Sequence, residues 1–197
     1  MNFKKILLAS VISSLSFGIA HADNNNRFSV GYANTNLKFA DGESSDLKGF
    51  NIKYQHEIFT DVGLIASLVA TRNEDTQKGF YRDAGVVNGK WAPNKLIHGI
   101  TRKDTQKYYS LSVGPTWRFN DWVSAYAVAG VAKTEFRTSV HNLTEKYKTD
   151  ERKTAATYGA GVQISLINNW LVDVSYDYMK TGDIKASTLV VGVGYQF

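Results

Sequence analysis

Two carboxylates and two cations are the first candidates for chemistry in this sequence. Asp173 and Asp177 lie two strand steps apart through Ser175, and Lys53 and Arg118 fall on the matching phase of their own segments. Carboxylates at such spacing could form an acid–base pair or line an ion path. They could equally be polar filling that pairs its own charges, and that reading is adopted. Three histidines beyond the leader, His56, His98 and His141, sit in separate segments. They show no metal-ligand spacing, and nothing aligns a Ser-His-Asp arrangement. Gly159-Ala160-Gly161 and Gly192-Val193-Gly194 resemble halves of a dinucleotide fingerprint, but neither opens a helix. Asn142-Leu143-Thr144 is a glycosylation sequon by pattern only. With no cysteine, the chain has no disulfide framework, thiolate zinc site or thiol nucleophile. The residues therefore point to no enzyme, no metal and no cofactor.

The elements that must carry these residues alternate with period two, the mark of strands with one apolar face. Phe28, Val30 and Tyr32 alternate with Ser29, Gly31 and Ala33, and Phe50, Ile52 and Tyr54 with Asn51, Lys53 and Gln55. The same pattern runs through Tyr109 to Phe119, Ala156 to Leu166, Val172 to Tyr178 and Leu189 to Phe197. Segments 62–71 and 122–131 carry apolar residues on both phases. This predicts eight strands. Tight turns are expected at Phe59-Thr60-Asp61, Asn120-Asp121 and Ile167-Asn168-Asn169, and long polar loops near 40–46, 75–104, 139–153 and 180–184.

Strands of about ten residues, with short turns at one end and long loops at the other, predict an all-β, eight-stranded antiparallel transmembrane barrel. It is an up-and-down meander, and an even strand number places both termini in the periplasm. A soluble β-sandwich would also alternate. Here, however, the polar phase is rich in glycine (Gly49, Gly114, Gly159, Gly161, Gly192, Gly194), which makes room inside a narrow barrel. The apolar phase ends in aromatics (Tyr109, Trp117, Phe119, Trp122, Trp170, Tyr176, Tyr178, Tyr195), as interfacial girdles require. Lys53, Arg118, Asp173 and Asp177 must then face the lumen as a polar network, because a cation on the lipid face at midplane costs about 2–4 kcal/mol. An interior only wide enough for side chains argues against a pore.

Composition agrees. With 43% apolar and 21% charged residues, the chain of 197 is not disordered. No internal apolar run is long enough for a membrane helix. A net charge of +5 without a clustered basic face does not imply nucleic acid. Lys4 and Lys5, the apolar residues 6–20 and Ala20-His21-Ala22 read as a secretory signal peptide over residues 1–22, leaving a single barrel over 23–197.

The stretches Gly49-Phe50-Asn51-Ile52-Lys53-Tyr54, Gly114-Pro115-Thr116-Trp117-Arg118-Phe119-Asn120-Asp121-Trp122, Tyr158-Gly159-Ala160-Gly161-Val162-Gln163 and Val191-Gly192-Val193-Gly194-Tyr195-Gln196-Phe197 resemble the Ail/OmpX/Lom family of outer-membrane proteins. The resemblance covers nearly all of the mature chain. It departs at 75–104, which is longer than usual in that family. It implies a bacterial outer-membrane location, adhesion or invasion, and serum resistance through host-cell, matrix or complement-regulator ligands. It also implies that Phe197 is read by the barrel-assembly machinery. A non-virulence envelope or stress role is the first alternative. An outer-membrane lipid-modifying enzyme is the second, but its preceding amphipathic helix is missing here.

Function is then expected in the loops. Phe80, Tyr81, Arg82, Lys90, Trp91, Lys95 and Arg102 combine aromatics with positive charge and are the candidates for partner binding. Carrying each strand's outward phase toward its loop end gives a second set: Lys38, Lys48, Arg72, Lys107, Lys133, Arg137, Arg152, Lys180 and Lys185. A ring of such cations is expected to contact lipopolysaccharide phosphates in the outer leaflet.

Overall fold

The computed structural model describes residues 26–39, 42–87, 90–141, 146–182 and 184–197, so the expected signal peptide lies outside the described residues. The alternating segments form eight strands: β1 (Asn26–Lys38), β2 (Ser44–Phe59), β3 (Val62–Val87), β4 (Lys90–Arg118), β5 (Val123–His141), β6 (Lys146–Ser165), β7 (Trp170–Thr181) and β8 (Ile184–Gln196). Each pairs antiparallel with its chain neighbours, and β8 returns to β1, closing the barrel. Asn26 and Phe197 lock the closure by exchanging backbone hydrogen bonds of 3.1 and 2.8 Å. Closure removes the sheet edges that could not be satisfied in lipid.

The three tight turns fall where the sequence places them, and side-chain chemistry explains two. Asn120 accepts hydrogen bonds from the backbone N–H groups of Trp122 (2.9 Å) and Val123 (2.8 Å), closing β4 onto β5. Asn168 and Asn169 take φ of 61° and 65°, a left-handed conformation that asparagine tolerates better than most residues.

The two faces are inverted relative to a soluble protein. Val191 and Val193 are 51% and 52% exposed, whereas Lys53 and Asp173 are 2% and 0% exposed. Outward aliphatics are banded by aromatics. Trp117, Trp122, Trp170 and Tyr195 lie toward the short turns, with Tyr32, Tyr109, Tyr158 and Tyr176 toward the other end. Trp170 and Tyr195 pack edge to face with centroids 5.7 Å apart. Inside, small residues do make room for large ones. A Cβ on Gly161 would collide with the Tyr126 ring, and one on Gly159 with the Asp177 carboxylate.

Two expectations are corrected. The stretches read as long loops are mostly paired strand. Asp75 faces Asp104, and the β3–β4 ladder continues to Val87 and Lys90 with a bulge between Asp83 and Gly85. The β5–β6 ladder likewise runs to His141 and Lys146, and most of 180–184 is strand. A strand with water on both faces need not alternate, so the period-two signal disappears without the strand ending. The lumen, second, is not polar throughout. Toward the long hairpins it is filled by Ala33, Leu37, Leu47, Val69, Tyr108, Ala132, Met179, Ile184, Ala186 and Val190, which form one buried cluster.

Candidate functional site

The lumenal network occupies the half of the barrel nearer the short turns. Lys53 on β2 forms a buried ion pair with Asp173 on β7. Its ammonium also donates to the hydroxyls of Tyr126 (2.6 Å) and Ser175 (2.8 Å). Tyr126 in turn donates to the Asp173 carboxylate at 3.0 Å, and Gln163 Nε2 donates to Asp173 Oδ2 at 3.1 Å. Nearer the chain termini, Glu57 is shared by Arg27, at 3.2 Å, and Arg118. Arg27 connects the two clusters by donating to Gln163 Oε1 at 3.3 Å, and it also reaches Ser124 Oγ at 2.9 Å.

Of the four predicted lumenal charges, Lys53 and Asp173 therefore meet directly. Arg118 belongs to the neighbouring Glu57 cluster. Asp177 is buried, yet its Oδ2 has no hydrogen-bond partner among the described residues. Sequence reading missed Arg27, Glu57, Tyr126 and Gln163. All four lie on the inward phase, a signal available for Arg27, Glu57 and Gln163 but not for Tyr126, whose segment is apolar on both phases. The register that brings them together was not legible. Every charge here has a structural partner or is buried in the interior, and the cavity beside them among the described residues, about 490 Å³ at the short-turn mouth, is lined by Glu57 and Arg118, which already pair with each other. The arrangement ties β1, β2, β4, β5, β6 and β7 together and closes the lumen.

The hairpin end offers a different surface. Among the described residues, β2 pairs with β3 only up to Arg72, and β7 pairs with β6 only from Thr157. Beyond those points β3, β4, β5 and β6 continue as a sheet of their own. At about 3.3 Å per residue, residues 73–87 carry it several tens of ångströms past the barrel. Among the described residues, its outer margins on β3 and β6 have no strand paired to them. The backbones of Phe80, Tyr81, Arg82, Lys90 and Trp91 are paired within this sheet. Their side chains, and that of Lys95, lie outside the described residues. Arg102 is exposed, and its Nε donates to Asp104 at 2.8 Å.

All nine predicted rim cations are exposed or half-buried on the outward phase of their strands, Arg137 also bordering the cavity at the hairpin end. Register gathers most of them into two rows. Lys48, Arg72 and Lys107 are successive cross-strand partners, followed by Glu135 and Arg152. Lys38, Lys185 and Lys180 form the second row across β1, β8 and β7. Some are neutralised locally. Arg72 and Lys103 flank Glu74, Lys133 and Arg152 flank Glu135, and Arg137 bonds Asp150 at 2.7 Å. Lys103, then Arg72, hold the Glu74 carboxyl below its usual range, and Lys133, Arg152 and Lys107 do the same for Glu135. Lys38, Lys48, Lys107, Lys180 and Lys185 make no ion pair with a described carboxylate.

A closed meander with an apolar, aromatic-banded exterior and a filled interior defines a β-barrel of the bacterial outer-membrane class. Within that class the chain belongs to the enterobacterial Ail/Lom family, whose model matches residues 3–197. The chain is 34% identical over 201 residues to the attachment invasion locus protein of Yersinia pseudotuberculosis, covering 98% of this chain and 97% of that one. It is 30% identical over 168 residues to outer membrane protein X of Escherichia coli, covering 85% and 82% of the two chains. Among solved structures it resembles Ail of Yersinia pestis in complex with the heparin analogue sucrose octasulfate. The TM-score is 0.70 at 30% identity, over 88% of this chain and 98% of that one. The protein is thus an outer-membrane barrel whose relatives are named for attachment and for location, not for a catalysed reaction.

Proposed function

We propose that this barrel is a non-enzymatic surface attachment protein, with its termini in the periplasm and the β3–β6 sheet projecting from the cell. The projecting sheet is the observation that carries the reading. It is held by long antiparallel ladders on a barrel whose lumen is filled by side chains, so its role is presentation and not transport. Two recognition modes fit it. Unpaired strand edges on β3 and β6 can accept an extended segment of a host matrix or complement-regulator protein. The Lys and Arg residues of the β3–β4 ribbon beyond Gln77, among them Lys78, Arg82, Lys90 and Lys95, suit a sulfated host polysaccharide. The heparin analogue held by the Yersinia pestis relative supports the second mode.

At the membrane, the two rows of outward cations bind lipopolysaccharide phosphates, and Phe197 presents the closing strand to the barrel-assembly machinery. The deciding experiment is expression in a non-adherent, serum-sensitive laboratory bacterium, followed by host-cell binding, soluble heparin binding and serum survival. Gain of binding or survival is expected. Loss of all three despite normal surface levels would leave a general envelope role.

A further inference from the structure

At the hairpin end the barrel holds a blind polar cup of about 430 Å³. Its floor is Phe39 and Phe136, with ring centroids 5.7 Å apart and planes tilted by 57°. Both rings rest on the buried apolar cluster of the upper lumen, so the cup has a dry bottom and opens only outward. Its walls come from the inner face of the projecting sheet, with Asn73 and Asp75 on β3 and Arg102, Asp104 and Gln106 on β4. Gln106 Oε1 is buried without a hydrogen-bond partner among the described residues.

The charges of this cup exclude the polyanion proposed for the outer ribbon. Three carboxylates, Glu43, Asp75 and Asp104, line it against two guanidiniums, Arg102 and Arg137. Each guanidinium is already engaged by a carboxylate, Arg102 by Asp104 and Arg137 by Asp150. No uncommitted cation among the described lining residues is left for a sulfate or phosphate. What the cup offers is planar amides, which donate to and accept from hydroxyls, and carboxylates, which accept from them, above two aromatic faces. That combination recognises a compact, hydroxyl-rich and uncharged molecule with an apolar C–H face.

We propose that the cup binds a neutral saccharide of one or two rings. The sugar's C–H face packs on Phe39 and Phe136, and its hydroxyls bond to Asn73, Asp75, Asp104 and Gln106. This site is separate from the sheet edges and the basic ribbon, and it stands whether or not they bind host partners. The sugar can come from a host glycoconjugate or from the bacterium's own surface polysaccharide.

The test uses the full mature chain in phospholipid nanodiscs and saturation-transfer NMR. One arm uses lactose, and the other uses dephosphorylated neutral core oligosaccharide from lipopolysaccharide. Transfer to sugar ring protons is expected in at least one arm, with lactose alone indicating a host source and the core alone an endogenous one. Replacing Asn73→Leu and Gln106→Leu together should weaken binding about tenfold, the equivalent of one or two hydrogen bonds. Heat-modifiable migration on gels checks that the double variant still folds; if it does not, the milder Gln106→Met is read in its place. Excess sucrose octasulfate should not displace the sugar. No transfer in either arm, transfer unchanged by the cup variants, or displacement by the octasulfate would overturn the proposal.

Discussion

Lys53 and Asp173 show how far a single residue can be read from sequence. Their inward phase follows from alternation, because neither charge is tolerable against lipid. Their contact does not follow, because the partners lie 120 residues apart and the barrel's stagger decides which inward residues share a level. The buried pair is expected to be costly to break from one side only. Asp173→Asn leaves the ammonium bonded only to Tyr126, Ser175 and a neutral amide, with Asp177 interacting at longer range, and should destabilise the barrel by about 3–5 kcal/mol in urea unfolding from micelles. Lys53→Met added to it should recover part of that loss. A neutral Asp173→Asn would mean that water screens the pair. The outer carboxylates behave differently because they are solvated. Glu74 and Glu135 titrate below the 4.5 of an ordinary glutamate, chiefly through hydrogen bonds from Lys103 and Lys133. A depressed folded-state value stabilises above the unfolded-state value and is lost as pH falls through the depressed one. Amide protection at residues 102–107 and 133–137, corrected for intrinsic rates, should therefore hold from neutral pH down to the ordinary carboxylate range and decline below it. Glu74→Gln with Glu135→Gln should flatten that dependence. An unchanged slope in the double variant would assign the effect to other carboxylates.

For the strands, legibility tracked the solvent. Where lipid covers one face, as at Tyr109 to Phe119, alternation is clean and the strand is legible. Where water covers both, as over 75–104, polar residues fall on both phases and a paired ribbon reads as a loop. The upper lumen failed for a related reason. Inward Ile65 and Val69 alternate with outward Leu64 and Leu68, so the segment is apolar on both phases and neither face is marked. The ribbon's register makes a clean excision possible. Gln77 and Arg102 are direct partners. Removing residues 78–101 and joining the pair through Asn-Gly, a two-residue hairpin turn, should leave a folded, heat-modifiable barrel. Its closure and lumenal network lie well below the cut, and exposed hairpin tips tolerate change. If the β3–β4 ribbon carries attachment, the shortened barrel should reach the surface at normal levels and lose cell and heparin binding. Unchanged adhesion would move the activity to the β5–β6 hairpin, around 139–153.

At the scale of the whole molecule, the barrel must be held at one depth in an asymmetric membrane, and the outward cations bear on that. Lys38, Lys185 and Lys180 are direct cross-strand partners in a row, and so are Lys48, Arg72 and Lys107. Like charges directly opposite each other destabilise a sheet. Such rows are therefore a liability in a neutral environment and an asset only where anions bridge them. Lipopolysaccharide phosphates supply bridging anions, each contact being worth about 1 kcal/mol near a charged surface. This makes a prediction in which the sign of the effect changes with the surroundings. Lys38→Ser, Lys180→Ser and Lys185→Ser combined should raise the thermal midpoint slightly in neutral detergent, because repulsion is relieved. The same triple variant should lower the midpoint in bilayers containing lipopolysaccharide, because the phosphate contacts are lost. Added magnesium, which competes for those phosphates, should narrow the gap between the two chains. Equal shifts in both media would reduce the rows to ordinary solvated rim charge. Destabilisation in detergent alone would mean that the lysine stems matter through packing on the barrel wall.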